Sequence, residues 1–256
     1  MIIAASALLG LVLGSFANVV ILRVPKRESI VRPPSRCPAC ERPIRPLENI
    51  PVVSWLLLRA RCRGCGARIS ARYPLVEILT AALFALAAAT LPRATDLIAY
   101  LPLIWVLVVL SFIDLDHKLL PDRIVFPASG ALVVLFGVAA VLGPGGGVWV
   151  RAVAAGAAAL GVLLVIHLIS PAGMAFGDVK FSFMLGMALG YLDRGWPRLF
   201  AGLLSAFLIG SVIGIALMVF GKAGRKTQLP FGPSLAAGTL LGVFAGDVML
   251  RAWLGA

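Results

Sequence analysis

The chain has 256 residues, of which 61% are hydrophobic and 13% are charged, and its formal net charge is +12. Soluble domains are about half apolar and about a quarter charged, so the composition excludes an ordinary soluble fold and predicts an all-α, polytopic membrane protein. The positive charge does not indicate nucleic-acid binding, because the basic residues cluster in loops between apolar runs, as in membrane topology.

The first apolar run, residues 1–22, predicts a retained transmembrane helix rather than a secretory signal. No basic residue precedes the run, whereas Arg23, Lys26 and Arg27 follow it. A cleaved signal peptide has its basic residues before the apolar region. We therefore expect the N-terminus to lie on the outer side of the membrane and the segment that begins at residue 23 to lie in the cytoplasm.

Residues 23–74 are predicted to form a small cytoplasmic module that a structural zinc ion holds together. The segment contains two CxxC pairs separated by 21 residues: Cys37, Cys40, Cys62 and Cys65. This spacing is typical of a tetrathiolate zinc site, and four thiolates leave no open position for catalysis. The reducing cytosol disfavours disulfides. A metal-free redox pair, or no role at all, is the alternative interpretation.

Residues 75–256 are predicted to form the main transmembrane domain. With the first helix, apolar runs of about 20 residues predict about eight spans, of which the sixth is short: roughly 2–22, 75–92, 96–113, 124–142, 149–170, 179–192, 199–220 and 234–254. An outside N-terminus then places 18 of the 23 Lys and Arg residues in cytoplasmic segments. This asymmetry favours the assigned orientation.

Two acidic motifs interrupt the apolar pattern on the expected cytoplasmic face. Asp114 lies in "SFIDLDHKLLPD" (111–122), and Asp178 lies in "GMAFGDVK" (173–180). Ionisable residues at membrane depth are costly and usually functional, and two adjacent carboxylates share a proton, as in aspartic proteases. We predict that Asp114 and Asp178 meet, with Asp116 as the second choice. From the residues alone, the interpretation that each aspartate merely ends a helix is about equally good.

Four further polar residues in the apolar runs carry weaker predictions. Asp247 and Arg251 are four residues apart, as in a helical ion pair. His167 is expected to donate an interhelical hydrogen bond. Lys180 is expected either to stabilise an ionised carboxylate or to anchor the helix at the cytoplasmic surface.

In their order along the chain, these motifs resemble those of the bacterial type IV prepilin peptidases. These are leader peptidases and N-methyltransferases of the GxGD membrane aspartyl protease class. The similar segments are "GSFANVVILRVP" (14–25), "ENIPVVSWLLLRARC" (48–62), "ISARYPLVE" (69–77), "IDLDHKLLPD" (113–122), "GDVK" (177–180) and "LPFGPSLAAG" (229–238). The resemblance implies that Asp114 and Asp178 are the catalytic aspartates. Ala175 departs from the pattern, because it stands where the family has the first Gly of GxGD. If that Gly supplies only small size, Ala serves equally well.

The resemblance also implies the substrates and the second activity. Prepilins or pseudopilins in the bacterial inner membrane would be cut at the cytoplasmic face, and S-adenosylmethionine would methylate the new N-terminus. No Gly-rich dinucleotide fingerprint marks a site for this cofactor. Glu48, Asn49 and Glu77 are the candidates for contacting it, and local hydrogen bonding within the zinc module is the alternative role for them.

Three other classes of function compete with this interpretation. A proton-coupled transporter predicts acidic residues near mid-bilayer and similar halves, which the sequence lacks. A zinc scaffold explains the cysteines but leaves both aspartate motifs without a role. An Mg²⁺-dependent enzyme that modifies membrane lipids would use clustered aspartates to hold the metal.

Overall fold

The computed structural model describes residues 1–171, 173–221 and 229–254, and these residues form nine α-helices without an extended strand. They divide into two compact units, Met1–Ala89 and Thr90–Ala256. The helices are α1 Ile2–Arg23, α2 Val53–Leu57, α3 Arg72–Thr90, α4 Leu97–His117, α5 Asp122–Leu142, α6 Gly146–Ile169, α7 Phe176–Tyr191, α8 Gly195–Val219 and α9 Gly232–Leu254. The all-α prediction is confirmed.

Seven of the nine described helices are long and apolar enough to cross a membrane, by length and composition. They correspond to every predicted span except the sixth. That span is replaced by α7, whose 16 residues extend about 24 Å at 1.5 Å per residue. Twelve of the 16 residues of α7 are buried, so neighbouring helices rather than lipid surround most of it. Its length therefore need not match the thickness of the bilayer.

In the first unit, α1 and α3 pack through a seam of small residues. A Cβ added to Gly10 would lie 2.6 Å from the Cα of Ala81, and one added to Gly14 would lie 2.7 Å from the Cα of Glu77. A Gly-x-x-x-Gly spacing allows two helix backbones to approach this closely. The seam explains why α3 clusters with α1 and the cysteine-rich segment, although the sequence groups it with residues 75–256.

In the second unit, α7 runs from one end of the helix bundle to the other. Near its start, Lys180 forms an ion pair with Asp122, at the start of α5. At its last residue, Tyr191 donates a hydrogen bond of 3.2 Å to Asp96, just before α4. Consecutive helices from α4 to α7 therefore alternate in direction. We call the end that holds Lys180 and Asp122 the aspartate end.

Arginine side chains tie down helix termini at the opposite end of the second unit. Arg151 donates to the carbonyl oxygens of Gly190, Tyr191 and Leu192 at 2.8–3.1 Å, which satisfies the C-terminus of α7. The buried Arg198 binds the Asp247 carboxylate at 2.5 Å. The predicted pair of Asp247 with Arg251 is therefore wrong. A buried guanidinium needs an anionic partner more than the exposed Arg251 does.

Candidate active site and cysteine cluster

Asp114 lies in the last turn of α4, with only 5% of its surface exposed. Its Oδ2 accepts a hydrogen bond of 2.9 Å from the backbone N–H of Gly232, the first residue of α9. Lys118 ends α4 in the left-handed conformation and donates its N–H to the Asp114 carbonyl at 2.8 Å. The chain therefore turns sharply after Asp114, and the carboxylate faces the start of α9.

Asp178 lies in the first turn of α7 and is also 5% exposed. Its N–H donates to the Ala175 carbonyl at 3.1 Å, which closes the first turn of the helix. Asp178 begins α7 at the end of the bundle where Asp114 ends α4. Two buried acidic groups, 64 positions apart in sequence, thus converge at the aspartate end of the second unit.

Close backbone approaches surround the two aspartates. A Cβ on Gly232 would lie 2.9 Å from Asp114 Oδ2, and one on Gly177 would lie 3.3 Å from the Cβ of Leu120. Ala175, in contrast, precedes α7 with φ −72° and ψ 145°, a conformation open to any L-residue. The departure from GxGD at Ala175 therefore introduces no backbone strain. No pattern within the sequence singles out Gly232, and its only signal is its place in "LPFGPSLAAG".

Lys180, in the second turn of α7, and His167, in the last turn of α6, form contacts around the start of α7. The Lys180 ammonium pairs with Asp122 and lies 5.3 Å and 5.2 Å from the ring centroids of Phe126 and Phe176. It is thus engaged by a neighbouring helix as well as by two aromatic faces. His167 contacts the carbonyl oxygen of Met174 at 2.8 Å, in the loop between α6 and α7. The partner of His167 is therefore this loop and not another helix, contrary to the prediction.

The four cysteine sulfurs in the first unit lie within 4.8 Å of one another. The Cys37–Cys65 and Cys40–Cys62 sulfur pairs are 3.9 Å and 4.0 Å apart. A tetrahedral zinc ion with Zn–S bonds of about 2.3 Å separates its sulfurs by about 3.8 Å. The cluster therefore has the dimensions of a structural metal site.

The two cysteine knuckles have matching backbone hydrogen bonds. Cys37 donates its N–H to the Arg42 carbonyl at 3.0 Å, and Cys62 donates to Ala67 at 2.8 Å. The pKa of the Cys40 thiol, lowered by the Arg42 backbone N–H but raised more by the Cys65 thiol and by burial, is about 11. The backbone N–H groups of Cys65 and Gly64, in contrast, lower the pKa of the Cys62 thiol to about 6. This favours the thiolate form that binds metal.

The three candidate cofactor contacts lie in different surroundings within the first unit. Glu48 pairs with Arg42 at 2.6 Å and accepts the Arg45 N–H at 3.2 Å, and these contacts lower its pKa, the Arg45 amide contributing most. Glu77 is buried in α3 and accepts the Val52 N–H at 2.7 Å. Asn49 is exposed. Glu77 and Asn49 thus flank one short backbone segment, whereas Glu48 faces the first cysteine knuckle.

Comparisons with known proteins cover most of the chain. Residues 8–91 match the bacterial peptidase A24 N-terminal domain, and residues 101–219 match the type IV leader peptidase family. A prepilin leader peptidase/N-methyltransferase of Aeromonas salmonicida is 39% identical over 96% of this chain and 92% of its own length. The proteins of the same name from Bacillus subtilis and Myxococcus xanthus are 32% and 42% identical. They cover 96% and 86% of this chain, and 95% and 64% of their own lengths. No solved structure matches the chain.

Proposed function

The chain belongs to the type IV leader peptidase family and is a membrane aspartic peptidase, and we propose that Asp114 and Asp178 are its catalytic pair. The observation that carries the proposal is the convergence of these two buried carboxylates at the aspartate end. Both lie within the segment that matches the family. On this basis we set aside the transporter, the zinc scaffold and the lipid-modifying enzyme.

The proposed reaction is hydrolysis of one peptide bond. One carboxylate takes a proton from water, whose oxygen attacks the scissile carbonyl carbon, while the other carboxyl group protonates the carbonyl oxygen. The C–N bond then breaks, and the leaving amine takes up a proton. The N–H of Gly232 holds one oxygen of Asp114. That contact orients the carboxylate, so that its other oxygen is directed towards the water.

We propose prepilins or pseudopilins as the substrates, which are the proteins that the relatives' names specify. Their apolar helix would lie in the bacterial inner membrane beside the enzyme, with the leader extended into the cytoplasm. The N-terminus of the enzyme would be outside and the aspartate end cytoplasmic. The concentration of Lys and Arg in the segments on that side supports this orientation.

We also propose that the first unit methylates the new N-terminus of the product. The relatives are named N-methyltransferases as well as peptidases. S-adenosylmethionine would supply the methyl group. Asn49 and Glu77, which flank the segment up to Val52, suit its hydroxyl and amino groups. Glu48, bound to Arg42, would position that segment, and zinc on the four thiolates would hold the module folded.

Asp114→Asn and Asp178→Asn test the catalytic assignment, since Asn keeps the shape of the side chain but cannot ionise. Purified variants are incubated with a model prepilin, and mass spectrometry reads the N-terminus of the product. Both variants should leave the leader attached, whereas Asp116→Asn, the matched control, should cleave normally. Normal leader removal by either of the first two variants would refute the assignment. With labelled S-adenosylmethionine, the same spectra report methylation.

A further inference from the structure

The short helix α2 (Val53–Leu57) carries an apolar face that the described structure leaves uncovered. Val53, Leu56 and Leu57 are 47%, 60% and 78% exposed. They occupy positions i, i+3 and i+4, which lie on one side of a helix. On the other side, the Trp55 indole N–H donates to the carbonyl of Ile69 at 3.2 Å. This bond fixes the rotation of α2, so the aliphatic face is held outwards.

A part-buried hydrogen bond sets the depth of α2 relative to a membrane-spanning helix. Val52, which precedes α2, donates its N–H to the Glu77 carboxylate at 2.7 Å. Glu77 lies five residues into α3, about 7.5 Å along the helix axis. Leu75 and Ile78, beside it on α3, are exposed apolar side chains. The start of α2 therefore lies level with the lipid-facing part of α3.

The backbone at Val52 is strained in a way that maintains this geometry. Val52 has φ +60° and ψ −50°, which is rare for a β-branched residue. Strain of this kind persists only where surrounding contacts hold it, and the bond to Glu77 is such a contact. The turn at Val52 directs the chain out of the preceding loop and into α2.

The charge of the segment matches an anionic surface. Residues 23–74 contain twelve Lys or Arg residues against three Glu. Arg59 and Arg61 follow directly after α2 and are exposed, and Leu47, before it, is exposed to 80%. Aliphatic side chains beside arginines are typical of segments that lie in the interface of a bilayer. The cytoplasmic leaflet carries anionic lipids that attract such basic residues.

We propose that α2 is an interfacial anchor that inserts Val53, Leu56 and Leu57 into the bilayer surface. Arg59 and Arg61 contact the phosphate groups of anionic lipids beside it. The anchor fixes the cysteine module against the membrane at the depth of Glu77. This role does not depend on the assignment of the catalytic aspartates.

Photo-crosslinking of the full-length protein tests the anchor. p-Benzoylphenylalanine replaces Leu57 or, as the control, the exposed Ala39 of the first knuckle. Each protein is placed in nanodiscs of equal parts phosphatidylethanolamine and phosphatidylglycerol, irradiated and analysed by mass spectrometry, with and without prepilin. At position 57 we expect phospholipid adducts, most of them with phosphatidylglycerol. At position 39 we expect no phospholipid adducts.

Other results would overturn the proposal. A cross-link from position 57 to another peptide of the chain, or to the added prepilin, would show that protein covers the aliphatic face. Equal lipid adducts at both positions would indicate unspecific capture. A further variant combines the probe at Leu57 with Arg59→Gln and Arg61→Gln. It should still form lipid adducts, but without the preference for phosphatidylglycerol. An unchanged preference would refute the contact with anionic headgroups.

Discussion

Gly232→Ala should slow peptide cleavage strongly while leaving the fold intact. The added Cβ would lie 2.9 Å from Asp114 Oδ2 and 3.3 Å from its Cγ. Ordinary contact begins near 3.4 Å, so the carboxylate or the start of α9 must shift, which breaks the hydrogen bond from the Gly232 N–H. A hydrogen bond to a charged group contributes about 1.5–3 kcal/mol. If that loss falls on the transition state, kcat/KM decreases about ten- to a hundredfold.

The assay measures kcat and KM for leader removal from a model prepilin in nanodiscs. Because the substitution displaces a proposed reacting group rather than a binding surface, the decrease should fall mainly on kcat. Gly130→Ala is the matched control, since a Cβ at this exposed position in α5 meets nothing within 4 Å. It should cleave at the wild-type rate, and because Gly130 lies inside a helix it should gain up to about 1 kcal/mol of stability.

A second readout separates misfolding from a local effect at Asp114. Gly232 and Asp114 lie in the second unit, whereas the proposed methylation site lies in the first. Methylation of a pilin peptide that already lacks its leader should therefore persist in Gly232→Ala. Wild-type cleavage by this variant would refute the close approach of α9 to Asp114, and with it the orienting role of the Gly232 N–H.

Three further substitutions test other parts of the structure. Ala175→Gly should cleave prepilin at a rate within about twofold of the wild-type rate, because φ −72° suits either residue and the added chain entropy of Gly costs only about 0.5–1 kcal/mol. A large gain in kcat would mean that GxGD needs its first Gly. Gly177→Ala places a Cβ 3.3 Å from Leu120 and should lower kcat about tenfold by overpacking. The double variant with Leu120→Gly, which removes the contacted Cβ, should recover part of this loss, and no recovery would count against the contact. Cys62→Ser should lower zinc content, measured by elemental mass spectrometry, and abolish methyl transfer while cleavage persists; full zinc retention would argue against the tetrathiolate site.

Local patterns account for what could be predicted from the sequence. The length and hydropathy of the apolar runs predict the spanning helices, because lipid forces each run to satisfy its own backbone. The CxxC spacing predicts that four sulfurs meet, since each short knuckle brings two of them together, and they do lie within 4.8 Å. The cost of placing a charge at membrane depth makes Asp114 and Asp178 candidates, and the resemblance to the prepilin peptidases is what favours them over the interpretation that each aspartate merely ends a helix.

Contacts between distant residues could not be predicted in this way. The N–H that binds Asp114 comes from a residue 118 positions later, and Gly232 has no side chain to signal that role. The spacing of Asp247 and Arg251 indicates a local pair, yet the carboxylate binds Arg198, 49 positions away. The local rule is worth only about 0.2–0.5 kcal/mol per pair on a helix surface. The free energy of leaving a buried cation without an anionic partner is much larger, so the carboxylate pairs with Arg198.

The anomalous length of α7 follows from how the helix is held. Arg151 binds the last carbonyls of α7, and the ion pair of Lys180 with Asp122 ties its first turns to α5. A helix secured at both ends cannot slide along its axis, so Asp178 is kept at one depth relative to Asp114. Catalytic groups need to be held within about 0.5 Å of their productive geometry. A longer, lipid-facing helix free to tilt with bilayer thickness would lose that registration. A short, enclosed α7 therefore suits the proposed catalytic pair, whose two carboxyl groups would have to keep a fixed separation to share one proton.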